Sequence, residues 1–282
     1  VTITGDGKHV GAVARTVGND SQIENCYISG SLATTGSCAA GGLIGQVQSG
    51  ALTIQNCIVN ADIKNEGQVS DSLAGGLVGS VRVVIESQLN IKNCITMGSV
   101  SANLGSGAGG LVGGPNKKVT INKSAALQEE VSTKKSKYYV DRIFGYDNAV
   151  YVDGGQNFAY QGMRVKCGDK LLGKDDKDWP ELHYGESVSK TKLLTTDFWK
   201  NTIGWESDTE NWEFVDKQLP TLKMTRRNDD GNEEVNIFSG ADIPEYLEAT
   251  ETKTGSVKSG GTGIEGAEIT FKKGSSEKTA TT

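Results

Sequence analysis

Three Asn-Cys pairs, at Asn25-Cys26, Asn56-Cys57 and Asn93-Cys94, and one glycine-rich loop, GAGGLVGG from Gly107, are where this 282-residue sequence first suggests chemistry. A thiol becomes a nucleophile when a base or cation lowers its pKa, and a zinc site usually pairs cysteines a few residues apart. Cys26, Cys38, Cys57, Cys94 and Cys167 have no C-x-x-C spacing. No zinc is therefore expected, and the repeat cysteines Cys26, Cys57 and Cys94, whose parallel stacking would suit no unstrained bridge, are expected to be free, buried thiols. The glycine loop, with Pro115, Asn116, Lys117 and Lys118 after it, has the look of a phosphate cradle. A dinucleotide loop, however, joins a strand to a helix, with an acidic residue about 20 positions on. Here VTIN from Val119 alternates as a strand, and no cofactor is expected. The two histidines, His9 and His183, lie in no H-E-x-x-H or triad-like context. Carboxylates are densest in GKDDKDWPE from Gly173 and NDDGNEE from Asn228. Asp229, Asp230, Asn232 and Glu233 would make a loose calcium loop, but a solvated turn is the plainer reading. Tyr138, Tyr139 and Trp179 are the aromatic side chains considered for stacking on sugar rings.

What must position these groups is a repeat. SQIENCYISGS from Ser21, LTIQNCIVNAD from Leu52 and LNIKNCITMGS from Leu89 align, each an alternating strand followed by Asn-Cys. VTINKSAALQE from Val119 keeps the strand with Lys123 and Ser124 at the pair, and GGQNFAYQGM from Gly154 has Asn157 and Phe158 there. A glycine element precedes each: HVGAVAR, AGGLIGQ, AGGLVGS, AGGLVGG and VDRIFGY. Units starting at Val1, Leu32, Ile63, Val100 and Val131 differ little in length, apart from an insertion around SVRVVIESQ in the third. Fixed-period strands with glycine corners predict a right-handed β-solenoid, all-β, of about five coils over residues 1–162. Stacking at about 4.8 Å per coil would set like residues above one another. Asn25, Asn56 and Asn93 would then form an amide ladder, and Cys26, Cys57 and Cys94 an inward column of thiols. Glycine would serve φ > 0 and close approach at each corner.

The remainder reads differently. Of 18 aromatic residues only Tyr27 precedes residue 138. Residues 163–225, with Phe198, Trp199, Trp205 and Trp212, are expected to cap the solenoid by plugging its open end. LLTTDFWKNTIG within them reads as a short helix started by Thr196 or Asp197 and stopped by Gly204. Residues 226–253 read as a polar linker, and 254–282 as a partial β-sandwich stalk domain, too short to pair all its strand edges. The net charge of −6 implies no basic face, so nucleic acid is not an expected partner. No apolar run reaches membrane-spanning length. VTITGDGKHV at the start is not a signal peptide but a strand entered in mid-pattern, so a fragment of a longer protein is expected.

With GGLIG and GGLVG each followed by I-x-N-C, and a further GGLVG followed by the degraded I-N-K-S, the chain resembles the GLUG-motif repeats of bacterial surface proteins. Such repeats occur in adhesin-like cell-wall proteins and in regions of IgA1-type zinc metallopeptidases. DRIFGYDNAVYVDGGQNFAYQGMRV is similar to that family's closing unit, and TTDFWKNTIGWESDTENWEFVDKQLPTLK to its C-terminal segment. GIEGAEITFKKG resembles a strand region of carboxypeptidase-regulatory-like or prealbumin-like stalk modules. The resemblance covers residues 1 to about 225 and implies a place on a bacterial cell surface or cell wall. It implies no activity, because such repeats accompany differing functions.

The sequence is therefore expected to encode a non-catalytic, monomeric, extracellular binding or spacer module. Adhesion to a host glycoprotein or glycan is the leading reading. The alternatives are an accessory, substrate-engaging region of a secreted IgA-type zinc metallopeptidase and a polysaccharide-active β-helix enzyme. The last needs carboxylates recurring on successive coils, where these repeats align Asn, Cys, Gly and apolar residues. No catalytic, cofactor or metal residue is assigned.

Overall fold

A computed structural model describes residues 2–18, 20–36, 38–68, 72–81, 88–103, 107–115, 118–134, 140–145, 151–153, 155–172, 185–227, 233–238 and 243–248, with strands within 258–281. Two compact units form, Val1–Glu248 and Ala249–Thr282. The first is a parallel β-solenoid of about five coils. In its second coil the strands are Ala39–Gly41, Ile44–Val47, Ala51–Gln55 and Ile58–Asn65. Each pairs in parallel with its counterpart in the next coil: Leu73–Gly75, Val78–Val81, Gln88–Lys92 and Ile95–Ala102. The aligned repeats stack as read, since Ser21 pairs with Leu52, Leu52 with Leu89 and Leu89 with Val119.

Two sequence features exchange the roles expected of them. Gly41, Gly45 and their equivalents are not in the left-handed region; that conformation belongs to Asn25, Asn56, Asn93, Lys123 and Gln156, with φ of 50° to 58°. Asparagine suits the corner because its short amide tolerates left-handed backbone better than other side chains with a Cβ. The predicted amide ladder does not form: Oδ1 of Asn25, Asn56 and Asn93 accepts no hydrogen bond. The glycines serve close approach alone. A Cβ on Gly79 would stand 2.6 Å from the Gly45 carbonyl oxygen and 2.8 Å from Ala40 N. The strand after each Gly-Gly pair thus lies backbone to backbone against the strand before it, with no room for a side chain. The left-handed column also corrects the fifth repeat by one residue. Gln156, not Asn157, stands over Lys123, because Phe158 pairs with Ala125.

The coils enclose an apolar core that includes Leu52, Ile54, Val59, Ile63, Leu77, Leu89 and Leu111. Cys57 and Cys94 lie in it and Cys26 packs at its edge, as the predicted thiol column requires. Each thiol donates to the carbonyl two residues back, Cys57 to Gln55 at 3.1 Å and Cys94 to Lys92 at 3.2 Å. Ser124 repeats the bond to Asn122 at 3.0 Å. A small side chain that donates locally is the requirement, which both cysteine and serine meet.

A second core lies outside the coils. Tyr27, Ile58, Ile95, Ala125 and Phe158 are in register on the outer face of the widest sheet. Against this stripe pack Phe198, Trp199, Trp205, Trp212 and Leu222. The aromatic segment therefore covers a flank of the solenoid rather than plugging its end. Alternation explains the difference: neighbours Cys57 and Val59 point inward, so Ile58 points out and needs its own cover. Trp205 stacks on Trp212 with ring centroids 4.5 Å apart and donates to Lys123 O at 3.0 Å. The predicted helix is a single wide turn, Phe198–Thr202, with no capping bond from Asp197; a separate short helix, Lys190–Leu193, capped by Ser189, precedes it. Gly204 follows with φ of 81°.

The segment read as a linker is structured in part. Thr221–Arg227 and Glu233–Phe238 form an antiparallel pair. Leu247 is buried in the second core. Tyr246 Oη accepts from Gly98 N at 3.1 Å and donates to Leu127 O at 2.9 Å. In the second unit, Lys258–Ser259 pairs antiparallel with Thr262–Gly263, and Glu268–Lys273 with Ser276–Thr281.

Candidate functional site

The half of the wide sheet beyond the second core carries polar side chains outward. Its register sets Ser31, Asp62, Ser99, Glu130 and Arg164 in one row, and Ala33, Lys64, Ser101, Ser132 and Lys166 in the next. Inward residues between them, Leu32, Ile63, Val100, Val131 and Val165, are in the core. Strict period-two alternation over five coils thus produces both a hydrophobic wall and a polar face. At the strand ends each next residue hydrogen-bonds to the coil below: Glu66 N to Thr34 O, Asn103 N to Asn65 O, Lys134 N to Ala102 O and Gly168 N to Thr133 O. Thr35, Glu66, Asn103, Lys134 and Gly168 so form a third row at the rim.

The third row, with Ser101, Ser132 and Lys166 of the second and Glu130 of the first, lines an open groove of about 580 Å³ across the coils. The C-terminal end holds an ion-pair network. Glu130 binds Lys166 at 2.6 Å and Arg164 at 3.2 Å, and Arg164 reaches Glu129 at 2.9 Å. Partial burial works against the Glu130 carboxylate, but Lys166 and Arg164 outweigh it and hold its pKa below the ordinary value. Earlier in the stack Ser99 Oγ donates to Asp62 at 2.6 Å. Asn65, buried behind the rim, bonds Cys38 O, Leu73 O and Gly67 N and braces the turn. Hydroxyl, amide, carboxylate and ammonium groups on a rigid sheet can hold a polar ligand. They include no nucleophile next to a base.

The residues considered from sequence fall elsewhere. Cys26 and Cys57 have thiols pushed well above their ordinary pKa. For Cys26 the contact with Cys57 is the main cause, with burial next. For Cys57 contact with Cys26 favours the thiolate, but Cys94 and burial outweigh it. Neither is a reactive thiolate. His9 lies in the first coil's strand His9–Gly11. His183, Tyr138, Tyr139, Trp179, Asp229, Asp230 and Asn232 lie outside the described residues, as does the run Gly173–Glu181; Glu233 begins a strand. Among the described residues no three His, Cys, Asp or Glu side chains gather to hold a metal ion, and no helix is long and apolar enough to cross a membrane. Sequence reasoning missed the groove. Its signal is the outward half of each wide strand, visible in SGSLAT, NADIKN and MGSVSA only once the register is known.

No family model matches the chain, and no curated protein does. Among solved structures it is similar to the crystal structure of a Bacteroides ovatus protein provisionally assigned as an immunoglobulin A1 protease, at 24% identity and a TM-score of 0.55. The match covers 78% of this chain and 58% of that one, so the chain spans little more than half of that protein's length. At this identity the likeness is one of fold: a solved protein shares the solenoid architecture derived above.

Proposed function

We propose that the chain is a non-catalytic extracellular binding module, and a spacer, of a larger bacterial surface protein of the GLUG-repeat kind, engaging a host glycoprotein or glycan. The observation that supports this reading is the polar groove. Five coils in register hold hydroxyl, amide and charged side chains on one rigid flank, the arrangement a recognition surface needs. The purified chain is expected to bind specific members of a glycan array that includes immunoglobulin and mucin, to stay monomeric in light scattering, and to leave acidic polysaccharides intact with or without calcium. An array with no binding would sink the binding role, and polysaccharide turnover would sink the non-catalytic one.

The likeness to a protein assigned as an immunoglobulin A1 protease favours a second reading, an accessory region that engages substrate for a zinc peptidase domain elsewhere in the same protein. An H-E-x-x-H motif in the parent protein together with selective binding of IgA1 would favour it. A surface anchor without such a motif would favour adhesion.

A further inference from the structure

We propose that the flank groove takes a short linear oligosaccharide ending in an acidic sugar, laid along the solenoid axis with its carboxylate over Lys134. The inference rests on reading the chain as a glycan-binding module. The rim residues Thr35, Glu66, Asn103, Lys134 and Gly168 come from five successive coils. At about 4.8 Å per coil they span about 19 Å, room for a few sugars. The coil spacing is close to the rise per sugar of an extended glycan, so each ring meets an equivalent set of side chains. Ser101 and Ser132, half-buried on the groove floor, make no side-chain hydrogen bond among the described residues and are free to bond sugar hydroxyls.

Charge sets the direction. Glu66 is exposed in the second coil, Glu130 and Lys166 neutralise each other, and Lys134 is exposed in the fourth coil with no ion pair among the described residues. The described lining is thus close to neutral, with one unpaired cation among its described residues, toward its C-terminal end. A polyanion would meet Glu66 and gain little. A neutral glycan would leave Lys134 unused. One terminal carboxylate on an otherwise neutral chain satisfies both. An extended peptide fits less well. It docks by pairing with a strand edge, whereas these strands run across the groove and already pair with the coils on either side. The described lining has no aromatic ring, so hydrogen bonds and charge must carry the affinity, and binding weakens with salt.

The test is titration of the intact chain with sialyllactose in both linkages, with a glucuronic-acid-ended oligosaccharide, and with lactose. At least one acidic-ended probe is expected to bind, and lactose about tenfold more weakly, as loss of a charge-assisted hydrogen bond requires. Lys134→Glu should remove that preference, and Ser101→Arg, which fills the groove floor, should abolish binding of all probes. Lys92→Glu, on another face, should change neither. Melting curves confirm that each variant is folded. Equal binding of lactose, unchanged binding by Lys134→Glu, or no binding of any acidic-ended probe overturns the proposal. If array binding survives Lys134→Glu, the module still binds glycans and only the groove assignment falls. If the intact chain binds nothing on the array, the wider reading falls as well.

Discussion

At the level of single residues, the corner asparagines and the buried thiols are the positions where chemistry and conformation are most tightly tied. Asn56 sits at φ of 51° with its Oδ1 unbonded, so its backbone tolerance is what the fold uses. Replacing it with alanine is expected to cost about 1–2 kcal/mol in urea unfolding, and with glycine close to nothing. A large loss for the glycine variant would show that the amide itself matters. The Cys57 thiol, held protonated in the fold, gives a pH dependence of definite sign. Above about pH 8.5 the unfolded chain loses this proton and the folded chain keeps it, so stability falls as pH rises, by about 1.4 kcal/mol per unit. Comparing denaturation near pH 7.5 and pH 9.5 for the intact chain and Cys57→Ala measures the effect. The alanine variant, weaker throughout, should show the shallower slope. These thiols were legible in the sequence because Asn-Cys recurs. The role of the asparagine was not, because a period shows which residues stack and says nothing of their φ.

At the level of elements, glycine and tryptophan mark two kinds of packing. The paired strands around each Gly-Gly leave no space for a methyl group. Gly79→Ala should cost about 1–3 kcal/mol through overpacking, while Gly5→Ala, whose nearest neighbour would be 3.8 Å away, should be nearly neutral. Equal melting temperatures for the two would refute backbone contact as the reason for the motif. The outer core depends on its tryptophans. Trp205→Ala is expected to lose about 3–5 kcal/mol and to expose Ile58, Ile95 and Phe158, read as increased binding of a hydrophobic dye. Dye binding unchanged from the intact chain would mean that the aromatic segment does not shield that stripe. Elements were readable where the repeat is regular. They were misread where it is not: Asn157 invited alignment with Asn93, yet its side chain takes the place of a thiol, accepting from Ser124 N at 3.1 Å. A one-residue slip in a strand exchanges its faces. That is why neither the outward apolar stripe nor the groove rows could be assigned before the pairing was known.

For the whole molecule, the boundary that matters lies at residue 248 rather than within the solenoid. Removing 249–282 should leave the melting of the solenoid unchanged, because that segment is a separate unit. Removing 243–282 should lower it, because Leu247 and the Tyr246 hydroxyl are lost from the flank. Tyr246→Phe alone should cost about 1–2 kcal/mol by leaving Gly98 N and Leu127 O without their partner. Melting curves of the two truncations decide the point, and equal curves would place the boundary earlier. The flank segment also touches several coils at once: Asp208 receives Asn93 Nδ2 at 2.9 Å, Gly204 O receives Lys123 Nζ at 2.8 Å, and Thr202 O receives Gln156 Nε2 at 3.4 Å. A bare stack of coils behaves as a one-dimensional chain, in which a break at one interface need not be felt at the next. These bonds act as a splint laid across third, fourth and fifth coils, so fraying at one level must also strip a shared aromatic surface. The stack is thereby turned into a body that yields all at once, and its resistance to force should depend more on the splint than on the number of coils.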